Sequence, residues 1–144
     1  WFESDPPAAF AKRALAAITT HDLPTVAGLW TGSDLKAQRD LGLNPNEAGT
    51  EKMRARVRDM AGLSDDASID DVVKQTHELL AKAPSMIVTA TTDDAVAVEE
   101  RPNMPGTMPD KWPSWSMALP QSLEEFENND LARAIAGTLK KNRQ

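Results

Sequence analysis

Leu15-Ala16-Ala17-Ile18-Thr19-Thr20-His21-Asp22-Leu23-Pro24 decides the reading of the fold: a short apolar and β-branched run stops at a polar cluster. Residues 15–20 read as a buried strand, with no alternation of polar and apolar positions. Pro24 lacks an N–H and suits a first helical turn, so a short helix is expected from Leu23 to Trp30. Outward along the chain a second run of the same kind appears. Met86-Ile87-Val88-Thr89-Ala90-Thr91 is again uncharged and β-branched, and it stops at Asp93-Asp94.

Helical patterns fill the interval between the runs. Residues 33–40 add a turn or two before Leu41-Gly42-Leu43-Asn44-Pro45. Over residues 47–63, Met53, Val57, Met60 and Ala61 share one helix face, with Arg54, Arg58 and Asp59 mostly off it. Ser68 and Asp71 have the spacing of a capping box, and Ile69, Val72, Val73, Thr76, Leu79 and Leu80 continue at helical spacing until Pro84. Strand, helices, strand is a βαβ unit, so the two strands should be parallel and buried on both faces.

Residues 99–120 change character. They hold five of the ten prolines, two of the four tryptophans and three of the six methionines, with Pro105-Gly106 as a turn, so an ordered irregular loop is expected there. Ser122 and Glu125 then open a terminal amphipathic helix carrying Leu123, Phe126, Leu131, Ile135 and Leu139, broken at Asn128-Asn129. The cationic Lys140-Lys141-Asn142-Arg143 complements the end of that helix.

Composition narrows the function. The chain has 144 residues, 16 Lys and Arg against 22 Asp and Glu, and a net charge of −6, so it is a poor phosphate-backbone binder. It has no cysteine, which excludes disulfides and thiolate chemistry, and only His21 and His77, so a structural zinc site is not expected. No apolar run approaches the roughly 20 residues of a membrane-spanning helix. The chain opens on Trp1 without a charged or apolar leader, which leads us to expect coding sequence upstream.

Three clusters could carry chemistry. Thr20-His21-Asp22 lies at the carboxyl end of a strand, where parallel α/β folds place ligands, although spacing alone favours Asp22 as the N-cap of the next helix. Glu99 to Thr107 with Trp112-Pro113-Ser114-Trp115 reads either as a rigid surface loop pinned by tryptophan or as a binding loop. Its tryptophan rings could stack on apolar sugar faces while Asn103 bonds hydroxyls. Asp93-Asp94 reads either as an acid pair or, preferably, as charge that solubilises a strand end. His77 reads as a packed helix histidine.

Taken together these clusters resemble one family. Thr20-His21-Asp22-Leu23-Pro24-Thr25 with Trp30 and Leu41-Gly42-Leu43, His77-Glu78-Leu79-Leu80-Ala81, Glu100-Arg101-Pro102-Asn103-Met104-Pro105-Gly106-Thr107, and Trp112-Pro113-Ser114-Trp115 are similar in content and order to the C-terminal part of the 4-α-glucanotransferases, or amylomaltases, of glycoside hydrolase family 77. The likeness runs from Leu15 to Ala136.

The resemblance implies an α/β chain, helix-rich, forming the C-terminal part of a (β/α)₈ barrel over residues 1–144. Residues 15–20 would be its seventh strand, residues 86–91 its eighth, and Trp1-Phe2-Glu3 the tail of the sixth. It implies a retaining transfer of α-1,4-glucan segments between maltooligosaccharides or starch-type glucans, in the cytoplasm and without a cofactor or metal. Carried over, Asp22 is the catalytic carboxylate that stabilises the transition state, and His21 and Asn103 bind substrate. The nucleophilic Asp and the acid/base Glu would lie upstream of Trp1, and the chain alone is expected to be inactive. Ser114 stands where the family usually has Asn, and Ser116 where a basic residue is common, so no subsite contact is carried over to that loop. The competing expectation is a non-catalytic helical interaction module derived from the same segment. Exposed strand edges make self-association an expectation for either.

Overall fold

A computed structural model describes residues 4–141; Trp1-Phe2-Glu3, expected as strand, lies outside the described residues. After a single 3₁₀ turn (Pro7–Ala9), strand β1 (Leu15–Ala17) leads into helices α1 (Val26–Thr31), α2 (Ser33–Asp40), α3 (Glu47–Ala61) and α4 (Ile69–Leu80). Strand β2 (Ile87–Thr89) follows, then α5 (Thr92–Ala95), a long irregular stretch, α6 (Leu123–Glu127) and α7 (Asp130–Lys141).

The strands pair in parallel, Leu15 opposite Ile87, Ala16 opposite Val88 and Ala17 opposite Thr89, as a βαβ crossover requires. The ladder is shorter than the apolar runs because the chain leaves it where Thr19 and Thr91 turn their hydroxyls onto Asp94. The expectation that both faces are buried does not hold. Helices cover one face, where Ala16 is 4% exposed. Successive side chains alternate across a strand, so Leu15 and Ile87 share the open face and remain 59% and 55% exposed.

Helix α4 is the hub, packed against α1, α3 and α7. Val72, Val73 and Leu80 are buried with Val26 and Trp30 of α1, Val57 of α3 and Ile135 of α7. Two polar residues share that buried face because each bonds its own helix: Thr76 Oγ1 donates to the Val72 carbonyl at 2.6 Å and His77 Nδ1 to that of Val73 at 2.7 Å. Nε2 of His77 is left without a partner among the described residues. Burial pushes the imidazole below its ordinary pKa and keeps it neutral, against smaller upward pulls from the Val73 carbonyl and the charge of Asp94.

The caps follow the sequence. Ser68 accepts the Asp71 N–H at the head of α4, and Ser122 with Glu125 closes a complete capping box on α6. Asn128 ends α6, and Asn129 Oδ1 accepts from Ala132 N at 2.9 Å to start α7. On α3 only Val57 is buried, and Arg54 lies 4.9 Å over the Trp30 ring rather than in solvent. Leu123, read as part of the terminal apolar stripe, instead faces solvent at the exposed first position of α6.

Candidate functional site at the strand ends

The loop after β1 turns through a Leu23 N–H to Thr20 carbonyl bond of 3.1 Å, and α1 starts only at Val26. Its N-cap is Thr25, whose Oγ1 accepts from Gly28 N at 3.0 Å. Asp22 therefore does not cap the helix, contrary to what spacing alone favours. Pro24 delays the first turn, and the cap falls on the hydroxyl that follows it.

Freed from capping, the Asp22 carboxylate has other partners. Its Oδ1 accepts from Asn103 Nδ2 at 2.5 Å, and its Oδ2 lies 3.3 Å from His21 Nε2. The Asp22 carbonyl accepts from Arg101 Nη1 at 2.9 Å. About half of the carboxylate side chain remains accessible, at 51%. The three residues singled out in the sequence, His21, Asp22 and Asn103, thus meet, Asn103 through a hydrogen bond and His21 through a 3.3 Å contact.

Asp94 overturns the reading of Asp93-Asp94 as a solubilising strand end. It is fully buried and accepts from Val26 N at 2.7 Å, from Thr91 Oγ1 at 2.9 Å and from Thr19 Oγ1. Three donors converge on one carboxylate, so the acid can be buried with its hydrogen bonds satisfied. It ties the ends of both strands to the start of α1. Its neighbour Asp93 is half-buried, and burial pushes its carboxyl above the ordinary carboxylate range, with the Asp94 charge adding to the rise.

The loop after α5 reaches back over these strand ends. Arg101 is buried and forks onto Asp34 of α2, Nε to Oδ1 at 2.6 Å and Nη2 to Oδ2 at 2.6 Å. The reading of an ordered loop pinned by tryptophan holds. Trp112 pins it, donating Nε1–H to the Arg101 carbonyl at 3.2 Å, whereas Trp115 stays 68% exposed. Trp115 sits at φ 65°, a left-handed conformation unusual for a bulky residue, and its N–H donates to the Pro102 carbonyl at 2.9 Å. Its ring lies 4.7 Å from the His21 ring, tilted by 48°. Ser114 holds the same loop through a bond from Met104 N at 3.2 Å.

His21 and Trp115 line a cleft of about 450 Å³ together with Thr20, Thr25, Thr92 and Asp93. Asp22 and Asn103 lie beside the cleft rather than in its lining, linked to it by the 3.3 Å His21–Asp22 contact and the Asn103–Asp22 bond. The arrangement offers an accessible carboxylate, an imidazole, a carboxamide and an apolar ring face, a set suited to a ligand rich in hydroxyls. Among the described residues no group of three or more His, Asp or Glu is placed to hold a metal ion, and no helix is long and apolar enough to cross a membrane. Arg101 was visible in the sequence only as part of a motif. Its partner Asp34 lies 67 positions away on another element, which no local pattern reveals.

The fold is a helix-rich α/β unit with two parallel strands, and its strand ends carry a polar cleft walled by an aromatic ring. The glycoside hydrolase family 77 sequence model, described as 4-alpha-glucanotransferase, matches residues 2–122, and the chain belongs to that family. The 4-alpha-glucanotransferases of Mycobacterium tuberculosis and Mycobacterium bovis are 31% identical to it over 163 aligned positions, covering 94% of this chain. That of Haemophilus influenzae is 23% identical over 144 positions, covering 88% of it. The crystal structure of amylomaltase from Corynebacterium glutamicum superposes with a TM-score of 0.77 at 26% identity over 94% of the chain. The chain spans 22% of the length of the mycobacterial relatives and of that structure.

Proposed function

We propose that this chain supplies one wall of the active site of a 4-α-glucanotransferase, with maltooligosaccharides or starch-type glucans as substrates. In this reading β1 and β2 are the seventh and eighth strands of a (β/α)₈ barrel, whose strand ends form the catalytic face. Asp22 is the carboxylate that stabilises the transition state, and His21 and Asn103 hold hydroxyls of the reacting glucose. The observation that carries it is the Asp22 carboxylate, bonded by Asn103, 3.3 Å from His21 and still half exposed.

Glucanosyl transfer with retention passes through a covalent glycosyl-enzyme between two oxocarbenium-like transition states. A fixed carboxylate lowers both barriers because positive charge develops on the ring only as they are crossed, and no reorganisation is then needed. Asn103 supplies that fixation by bonding one oxygen, with His21 beside the other. The nucleophile and the acid/base belong to other parts of the barrel, so the chain alone is inactive. The reaction runs on carboxylates and draws on no cofactor, and a cytoplasmic setting, where soluble oligosaccharides are available, belongs to the same reading.

The test is disproportionation of maltotriose to glucose and longer oligomers. This chain alone should give none, and turnover by it would overturn the reading. In the complete enzyme carrying this segment, Asp22→Asn is nearly isosteric and should lower kcat by about 10²- to 10³-fold, the scale for loss of one electrostatic stabiliser. Retention of more than a tenth of the activity would refute the role of Asp22.

One observation favours a second reading, a non-catalytic interaction module: Leu15, Met86 and Ile87 are exposed beside or on the open face of the sheet. Such a module would self-associate through that face. Since self-association is expected of either, activity separates the two: the complete protein carrying this segment disproportionates maltotriose in the catalytic reading and does not in the modular one.

A further inference from the structure

We propose that Arg101 is a positioning residue, which through its ion pair with Asp34 sets the backbone of Asp22 and the loop carrying Asn103 and Trp115 against each other. The proposal rests on the reading of Asp22 as the transition-state carboxylate, but its structural part stands on the geometry alone.

All the donor directions of Arg101 that the structure shows are committed. Nε and Nη2 grip the two oxygens of Asp34, both at 2.6 Å, and Nη1 donates to the Asp22 carbonyl at 2.9 Å. The guanidinium is planar, so fixing two of its nitrogens on α2 fixes where the third points. Asp34 is itself braced from its own helix, where Gln38 Nε2 donates to Oδ2 at 2.8 Å. Both charged side chains are almost wholly buried, at 8% and 3% exposure, so solvent screens the pair only weakly.

The same residue organises the loop from its backbone side. The Arg101 carbonyl takes the Trp112 indole N–H at 3.2 Å, and two positions on, Asn103 reaches Asp22 Oδ1. The neighbouring Pro102 carbonyl takes the N–H of Trp115, whose ring then meets His21. Asp22 and Asn103 lie 81 positions apart, and Arg101 bridges them by holding one through its side chain and carrying the other on its own loop. An exposed Asn–Asp bond alone would not hold two such loops in register. A misplacement of about 1 Å at a reacting carboxylate costs on the order of 10²-fold in rate.

The experiment has two arms. In this chain, Arg101→Lys keeps the charge and loses the fork, while Asp34→Asn keeps the shape and loses the charge. Each is read by NMR at the Asn103 side-chain amide and at the cross-relaxation between the His21 and Trp115 rings, with the methyls of Val72, Val73 and Leu80 as core reporters. The expected result is loss of the ring contact and a shift of the Asn103 amide towards its exposed position, with core methyls unmoved. Loop signals identical to wild type in both variants would overturn the proposal. So would collapse of the core signals in both, because the pair would then hold the core rather than the loop.

In the complete enzyme the same variants should lower kcat by about 10²-fold with KM for maltotriose changed less than threefold. A rise in KM at constant kcat would show that the pair holds substrate and not the carboxylate, which would also overturn it. If Asp22→Asn leaves kcat intact, the reading of Asp22 fails while the NMR arm still decides whether Arg101 sets the loops.

Discussion

Asp94 Oδ1 accepts the backbone N–H of Val26 at 2.7 Å, so the acid just beyond β2 seats the first turn of the helix that follows β1. The same carboxylate takes the hydroxyls of Thr19 and Thr91, one from each strand end. Asp94→Ala would leave the buried Val26 N–H and Thr19 hydroxyl without their acceptor, while the half-buried Thr91 hydroxyl can turn to the cleft. A buried donor left unsatisfied costs about 1–3 kcal/mol, so the variant should lose about 3 kcal/mol or more in urea unfolding. Asp94→Asn keeps the shape and one acceptor oxygen and should lose less. An Asn variant less stable than the Ala variant would show that the network does not work through these bonds.

Gly28 allows α1 to approach the segment after α5. A Cβ built there would lie 2.3 Å from the Glu99 carbonyl oxygen, a backbone atom that cannot swing aside. Alanine gains about 1 kcal/mol of helix propensity over glycine, whereas overpacking against a fixed group costs about 1–3 kcal/mol. The steric effect should win, and Gly28→Ala should lower the thermal midpoint. A raised midpoint would mean that α1 and the Glu99 carbonyl are not in close contact.

Trp115 combines an exposed ring with a left-handed backbone at φ 65°. Trp115→Gly removes the ring and relieves a strain of about 1 kcal/mol or more, so stability should be unchanged or slightly higher. If the ring is the apolar wall of a sugar site, binding of maltoheptaose to the complete enzyme should weaken about tenfold, equivalent to ~1.4 kcal/mol. Calorimetry gives both quantities. Unchanged affinity would remove Trp115 from the binding surface.

His77 makes stability depend on pH. Its folded pKa lies below the ordinary value near 6.5, chiefly because burial disfavours the imidazolium. The unfolded chain therefore takes up the proton first as pH falls. The stabilisation is fully present above about pH 6.5 and is lost progressively as pH drops through that value towards the folded pKa. His77→Leu should flatten this dependence between pH 7.5 and 5.5 in urea unfolding, since the helix still satisfies the Val73 carbonyl. An unaltered slope would assign the effect to another group.

Much of this molecule could be read from residue order alone. The two runs around Ala16 and Val88 are strands and pair in parallel. Val72, Val73 and Leu80 face the core, and the terminal helix breaks at Asn128-Asn129. These are short-range features: periodicity, caps and breakers act within a turn or two, so the local sequence suffices to specify them. His21, Asp22 and Asn103 could likewise be singled out from motifs, and the fold brings them together.

Only the tertiary structure decided what each acid does. Asp22, which looked like a cap, is released by Thr25 and turns to Asn103 and His21. Asp94, which looked like a solvated strand end, becomes the buried junction of both strands with α1. Asp34, an ordinary first-turn acid of α2, becomes the partner of Arg101. The physical reason is the same in each case. A carboxylate takes whichever donors the packing delivers, and these come from elements 67 to 81 positions away, except the local His21, Gln38 and Thr91 contacts. Strand pairing and the packing of α4 bring those donors into reach, and no pattern within a single helix or loop encodes them.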